Sequence, residues 1–312
     1  MSQKLKIAFY WAASCGGCEI AVLDINEKIL DVVKIADIVF WPVALDIKYK
    51  DVEALPDKHI DITFFNGSIR NSEQEHMAKL LRQKSKTLVA FGSCAHEGCI
   101  PGLANLHNKN EIFEQVYIKD KSNINPASTA PQTVTKVPEG TLKIPEFYDT
   151  VKTLDQTVDV DYYLPGCPPP VKLIAAAIDA IASNQLPPKG SVLAPLKAVC
   201  DECERKRENK KIGKLYRVYE KVPEPEKCLL EQGILCMGLA TRSGCGAQCL
   251  KVDMPCTGCG GPAPSVPEQG AAMISALASI LGYDGEAGKA KYTEKEIEDL
   301  ISQIKDPVGT FY

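Results

Sequence analysis

Thirteen cysteines in 312 residues are the side chains best equipped for chemistry in this chain, and eight of them fall between Cys200 and Cys259. A thiolate is both a nucleophile and a soft metal ligand. The pattern therefore allows disulfides, dithiol redox chemistry or metal binding. The chain opens MSQKLKIAFYW, with neither a charged-then-apolar leader nor a twin-arginine signal, so we expect a cytoplasmic location. In a reducing compartment a cysteine cluster reads as metal binding or redox catalysis rather than as a stapled scaffold.

The first-half cysteines sit in SCGGCE (Cys15, Cys18), FGSCAHEGC (Cys94, Cys99) and LPGCPPP (Cys167). The elements that must position them alternate. Lys6–Ala12, Ala36–Pro42, Asp61–Ile69, Thr87–Phe91 and Tyr162–Leu164 are apolar runs rich in strand formers. Glu19–Val33, Ser72–Lys84 and Val171–Ser183 carry apolar residues at helical spacing. Such alternation predicts an α/β fold, a doubly wound parallel sheet of flavodoxin-like layout over residues 1–185. Ligands of such sheets gather beyond the carboxyl ends of the strands. Cys15, Cys18, Cys94 and Cys167 all follow strands, so three distant loops should converge with four thiols. Taken alone, Cys15-Gly-Gly-Cys18 could equally be a dithiol pair. The company of Cys94 and Cys167 favours a four-thiolate metal site. Cys99 reads as a small buried apolar residue, and His96 as a structural histidine that could also donate to a cluster sulfur.

From Leu186 the composition shifts to Pro, Gly, Cys and charge, and periodic patterns fade until Pro267. Residues 186–312 are expected to form an irregular, cysteine-rich domain with few helices. Its eight thiols, Cys200, Cys203, Cys228, Cys236, Cys245, Cys249, Cys256 and Cys259, divide into two sets of four. Metal coordination would have to fix a segment so poor in periodic apolar residues. All-thiolate zinc and four-iron clusters use the same donors. Apolar and Gly-rich stretches between the cysteines, and three sites in one chain, favour iron–sulfur.

Net charge is −4, which gives no basic footprint for nucleic acid. The one basic run, Arg205–Lys214, mixes in acids and polar residues and reads as a solvated loop. The longest apolar runs, Leu173–Ala182 and Ala271–Gly282, are shorter than the roughly 18 residues of a membrane span. Pro101–Asp155 is long, polar and weakly periodic, as a surface insertion would be. Thr293–Lys305 reads as a capped amphipathic helix.

CGGCE after the first strand, GSCAHEG after a central one, PGCPPP at a later one and then the eight-cysteine run together resemble the small subunit of nickel–iron hydrogenases, over roughly residues 5–265. The resemblance implies a proximal cluster on Cys15, Cys18, Cys94 and Cys167. It implies a distal cluster on Cys200, Cys203, Cys228 and Cys236, and medial ligands at Cys245, Cys256 and Cys259. Departures from the periplasmic members are informative. Cys200 stands where they carry histidine. Cys249 stands where a proline leaves them a three-iron medial cluster, so we expect four iron there and a lower potential. Glu19 follows Cys18 directly, whereas those members place a glutamate one residue later. Cys99 occupies a position usually held by glycine.

These departures, with KCLLEQGILCMG, CGAQC and PCTGCGGP, look like the cytoplasmic group-3 enzymes, closest to the methyl-viologen-reducing, deazaflavin-non-reducing subfamily. The resemblance implies three [4Fe-4S] clusters relaying electrons from hydrogen oxidised on a nickel–iron large subunit. A small iron–sulfur adaptor subunit would pass them to a heterodisulfide reductase complex. No residue of this chain is expected to be catalytic. The alternatives are an iron–sulfur subunit of a sulfhydrogenase or another redox complex, and, in a different class, a zinc-stabilised interaction protein.

Overall fold

The computed structural model describes residues 4–281, 293–304 and 306–311. They divide into two compact units that meet in sequence at Leu193 and Ala194.

The first unit is built on five parallel strands: β1 (Leu5–Trp11), β2 (Ala36–Phe40), β3 (Ile60–Asn66), β4 (Ser85–Phe91) and β5 (Tyr162–Leu164). They lie in the order β2-β1-β3-β4-β5. Ile7 faces Ile62, Phe64 faces Val89, and Val89 faces Tyr162 across the ladders. Both faces are covered, which is why β3 and β4 read as near-continuous apolar runs. Phe65, Ile60, Leu88 and Ala90 are wholly buried. The order reverses between β1 and β3, so the crevice at the carboxyl ends of the central strands is where such a sheet presents a ligand site.

Helices α1 (Gly17–Leu23) and α2 (Ile29–Ile35) follow β1, α3 (Ser72–Lys84) precedes β4, α4 (Ser93–Glu97) follows it, and α5 (Val171–Ala182) follows β5. α3 has the bounds its sequence suggests because Asn71 and Gln74 cap it reciprocally. The Gln74 amide donates to Asn71 Oδ1 at 2.9 Å and the Asn71 amide to Gln74 Oε1 at 3.2 Å.

The expected single helix over Glu19–Val33 is instead two, separated by a 3-10 turn at Asn26–Lys28. Asn26 takes φ 53°, which an α-helix does not admit. The expected strand Asp61–Ile69 ends at Asn66, because the chain swings at Gly67 (φ 96°) into a separate short strand, Ile69–Asn71. That strand pairs antiparallel with Phe147–Lys152, inside the segment read as an insertion. An exposed hairpin of Val134–Val137 with Gly140–Lys143 occupies the same segment.

The second unit has isolated bridges rather than a sheet among its described residues. Its helices are α6 (Gln248–Lys251), α7 (Gln269–Ile280), α8 (Glu294–Ile301) and the short α9 (Pro307–Phe311). α8 is the helix expected at Thr293–Lys305, capped by Thr293 and Glu296; Lys305 lies outside the described residues, as does Gly282 at the end of the second apolar run. Val199, Leu229, Ile234, Met237, Met273 and Leu277 form the buried centre, and Cys236 and Cys256 are buried with them. No helix of the described residues is long and apolar enough to cross a membrane.

Candidate metal centres

β1 hands the chain to a loop fixed by reciprocal backbone bonds of 3.0 Å between Ala13 and Ser68. α1 then opens at Gly17, which leaves Cys15 exposed before the helix and Cys18 buried in its first turn. Cys94 is buried in the first turn of α4, whose bend Ser68 holds by donating its hydroxyl to the Cys94 carbonyl at 2.6 Å. Cys167 is exposed in the loop after β5, joined to Pro168 by a cis peptide bond. The loops after β4 and β5 are tied to each other. The Ser93 amide donates to the Gly166 carbonyl at 2.9 Å, and the Gly166 amide to Ser93 Oγ at 3.1 Å. A Cβ on Gly92 would stand 2.4 Å from Cys18 Sγ, so only glycine lets this loop pass so close to the first one.

The four predicted ligands of the first unit therefore share one crevice edge. Burial pushes the Cys18 thiol far up, and Cys167, Cys15, Glu19 and Cys99 add to the effect. Cys99 is the surprise. Its thiol lies beside those of Cys167 and Cys94. The Cys167 contact favours its charged form, but the Cys94 contact and burial outweigh that and push the thiol up to about 11. It is half-buried, held at φ 44°. Sequence reasoning set it aside as an apolar filler; the available signal was its place one short turn after Cys94, where no intervening element could carry it away.

Glu19 is buried beneath the same loop. Trp41 Nε1 donates to Oε2, and Asn66 Nδ2 to Oε1 at 3.4 Å. Burial raises its pKa against the opposing donations from Trp41 and Asn66. His96 packs its ring 4.5 Å from that of Tyr163, with Nδ1 2.8 Å from Glu97 Oε1.

In the second unit Cys200, Cys203, Cys228 and Cys236 are mutual neighbours. Burial pushes Cys200 up to about 12, with Cys236, Cys228 and Cys203 adding to it and Arg207 opposing. Cys236 is raised by burial and by the nearness of Cys228 and Cys203. Cys256 is pushed up to about 11 by burial, with Cys236 and Cys245 beside it. Cys249 is exposed at the start of α6, and Cys259 is exposed immediately after Gly258, whose φ of 92° turns the chain there. The loop that carries Cys245 is held by one carboxylate: Glu202 accepts from the Gly244 amide at 3.1 Å and from the Gly246 amide at 2.9 Å.

The donor chemistry fits a thiolate-held metal centre. Thiols packed on thiols in an apolar setting resist ionising, and a cationic core placed among them reverses that balance. Among the described residues, no three His, Cys, Asp or Glu side chains close on one point as a single ion needs.

The family model described as NADH ubiquinone oxidoreductase, 20 Kd subunit, matches residues 15–181 and so spans all the first-unit cysteines. That makes the class an oxidoreductase subunit of iron–sulfur character on a doubly wound α/β scaffold. The F420-non-reducing hydrogenase iron-sulfur subunit of Archaeoglobus profundus is 47% identical over 283 residues, covering 89% of this chain and 88% of that protein. The corresponding F420-non-reducing hydrogenase subunit of Methanothermobacter thermautotrophicus is 36% identical over 315 residues, covering 100% and 94%. A chain of an NAD+-reducing [NiFe]-hydrogenase, solved in the H2-reduced state, superposes with a TM-score of 0.51 at 28% identity, covering 59% of this chain and 94% of that one. The chain belongs to the small subunits of group-3 nickel–iron hydrogenases, in the F420-non-reducing (methyl-viologen-reducing) family. Its role is electron transfer, with the catalytic site on the large subunit.

Proposed function

We propose that this subunit holds three [4Fe-4S] clusters and relays electrons from the large subunit, through a small iron–sulfur adaptor, to a heterodisulfide reductase complex in the cytoplasm. The proximal ligands are Cys15, Cys18, Cys94 and Cys167. The distal ligands are Cys200, Cys203, Cys228 and Cys236, and the medial ligands Cys245, Cys249, Cys256 and Cys259. The observation that carries the reading is the convergence of thiols from three strand-end loops, with a second mutually neighbouring set in the other unit. The two units fall either side of Leu193, a few residues beyond the composition shift at Leu186.

When bound, the clusters supply one-electron carriers whose potentials the protein adjusts. The chain's own residues bury them and aim N–H groups at the sulfurs. The Gly17 amide donates to Cys15 Sγ at 3.4 Å, and the Cys256 amide to Cys236 Sγ at 3.4 Å. Donation to a thiolate favours the more reduced, more negative state.

The test is a count of iron, acid-labile sulfide, zinc and nickel on the anaerobically purified complex. About twelve iron and twelve sulfide per chain, with nickel following the large subunit, are expected. About two or three zinc without sulfide would leave a structural zinc protein. The acceptor is tested separately, by hydrogen-dependent reduction of heterodisulfide with and without the adaptor.

A further inference from the structure

The segment that carries Cys200 and Cys203 runs beside the one that leads to Cys245. The Val199 amide donates to the Thr241 carbonyl at 2.8 Å, and the Ser243 amide to the Lys197 carbonyl at 2.9 Å. This short antiparallel pairing brings Glu202, between the first two cysteines, to the loop that holds the third. Gly244 takes φ 120° and Gly246 φ 70° there, a backbone that L side chains resist and that can turn nearby N–H groups towards one anion. The Glu202 carboxylate is that anion. Its Oε1 accepts from the Gly244 amide at 3.1 Å and its Oε2 from the Gly246 amide at 2.9 Å. The second N–H belongs to the peptide bond that Cys245 itself begins.

Two effects on a centre at Cys245 follow, and both act in one direction. A fixed negative charge beside a ligand disfavours the added electron. Arg205, two residues past Cys203, is paired with Asp253, whereas the Glu202 carboxylate is met by amide dipoles. An amide that donates to a ligand sulfur favours the reduced state. The Gly244 and Gly246 amides are instead engaged by Glu202.

We propose that Glu202 is a positioning residue that keeps the reduction potential of the centre at Cys245 low, by seating its carboxylate beside that ligand and engaging the Gly244 and Gly246 amides. The inference rests on the ligand assignment made above. It makes the loop of one set of thiols adjust the potential of the other.

The test uses the whole hydrogenase complex, by redox titration followed by electron paramagnetic resonance, with iron and sulfide counted in every sample. Cys249→Ser identifies the centre by the signal it alters. Glu202→Gln should shift that centre's midpoint to a more positive value. Glu202→Asp, which keeps the charge, should shift it less, and carries the test should Glu202→Gln lose iron. Glu204→Gln removes the same charge from an exposed side chain on the other side of Cys203 and should leave that midpoint in place. Full iron in Glu202→Gln with the midpoint unmoved or more negative overturns the proposal, as does an equal shift in Glu204→Gln. Iron lost from Glu202→Gln and Glu202→Asp alike would make Glu202 a purely structural tie and overturns it too. A Cys249→Ser complex with every signal unchanged overturns the ligand assignment and the proposal together.

Discussion

In the first unit Phe65, Leu81, Leu88 and Leu154 are wholly buried in a cluster that contains no cysteine among its described residues. In the second, the buried centre around Met237 and Met273 includes Cys236 and Cys256, with Cys203, Cys228 and Cys245 packed against it. One unit forms a core by burying strand side chains, and carries its thiols beyond the strand ends, with Cys18 and Cys94 buried in helix first turns and Cys15 and Cys167 exposed on loops. The other has two thiols, Cys236 and Cys256, inside its apolar centre, four more half-buried, and Cys249 and Cys259 exposed. We expect the first to keep its fold without metal, and the second, whose centre includes thiols, to lose order when metal is removed.

The largest expected effect breaks the two apart. Stripping iron from the chain under reducing, anaerobic conditions should release the second unit's amides, such as those of Val199, Ile234 and Met237, to rapid hydrogen exchange. The amides of β3 and β4 should stay protected. Simultaneous loss in both units would contradict independent cores.

Phe65→Ala is the converse experiment. It removes a fully buried ring from the sheet and should cost about 3–5 kcal/mol. Denaturant unfolding should show the first unit's transition moving while the protection of the second unit's Ile234 and Met237 amides is unchanged.

A smaller effect concerns Asp161, which ties the sheet edge together. It accepts from Arg82 at 2.7 Å, from Lys189 at 2.5 Å and from the Leu88 amide at 2.8 Å. Burial opposes its charge, but these donors win and hold the carboxyl below the usual carboxylate range. The bound proton is then preferred by the unfolded chain, so the contribution is complete above the unfolded pKa of about 3.9 and fades as pH falls through the native value. Asp161→Asn should cost about 2 kcal/mol at neutral pH. The stability curves of the two proteins should converge in acid; curves that stay parallel would refute the linkage.

The smallest effect lies at the end of the second unit. The Thr293 hydroxyl caps α8, accepting from the Glu296 amide at 3.3 Å. Thr293→Ala should cost about 1 kcal/mol, read as earlier fraying of that helix by hydrogen exchange. A loss confined there would show that helix packing and thiol binding contribute separately to this unit.

The legible part of the fold was the part built from repeating local signals. The sheet strands announced themselves as apolar runs, and Asn71 with Gln74 gave α3 both its start and its cap. The break after Leu23 was hidden because Asn26 is compatible with a helix until its backbone turns left-handed. The antiparallel pair of Ile69–Asn71 with Phe147–Lys152 was hidden for a different reason: its partners lie far apart in a polar stretch, and neither strand alternates clearly.

For the candidate centres, the sequence by itself determined which first-half thiols follow strands and that the second half is poor in periodic apolar residues. Those conclusions rest on residue type and spacing, which no packing arrangement changes. Only the tertiary structure decided that Cys99 lies beside Cys94 and Cys167, that Glu19 lies buried under Trp41 and Asn66, and that Thr241 links Gln269 to the Met237 carbonyl. Each depends on contacts between segments that no local pattern couples. Their energies come from burial and hydrogen-bond geometry, and both exist only once the chain has closed around them.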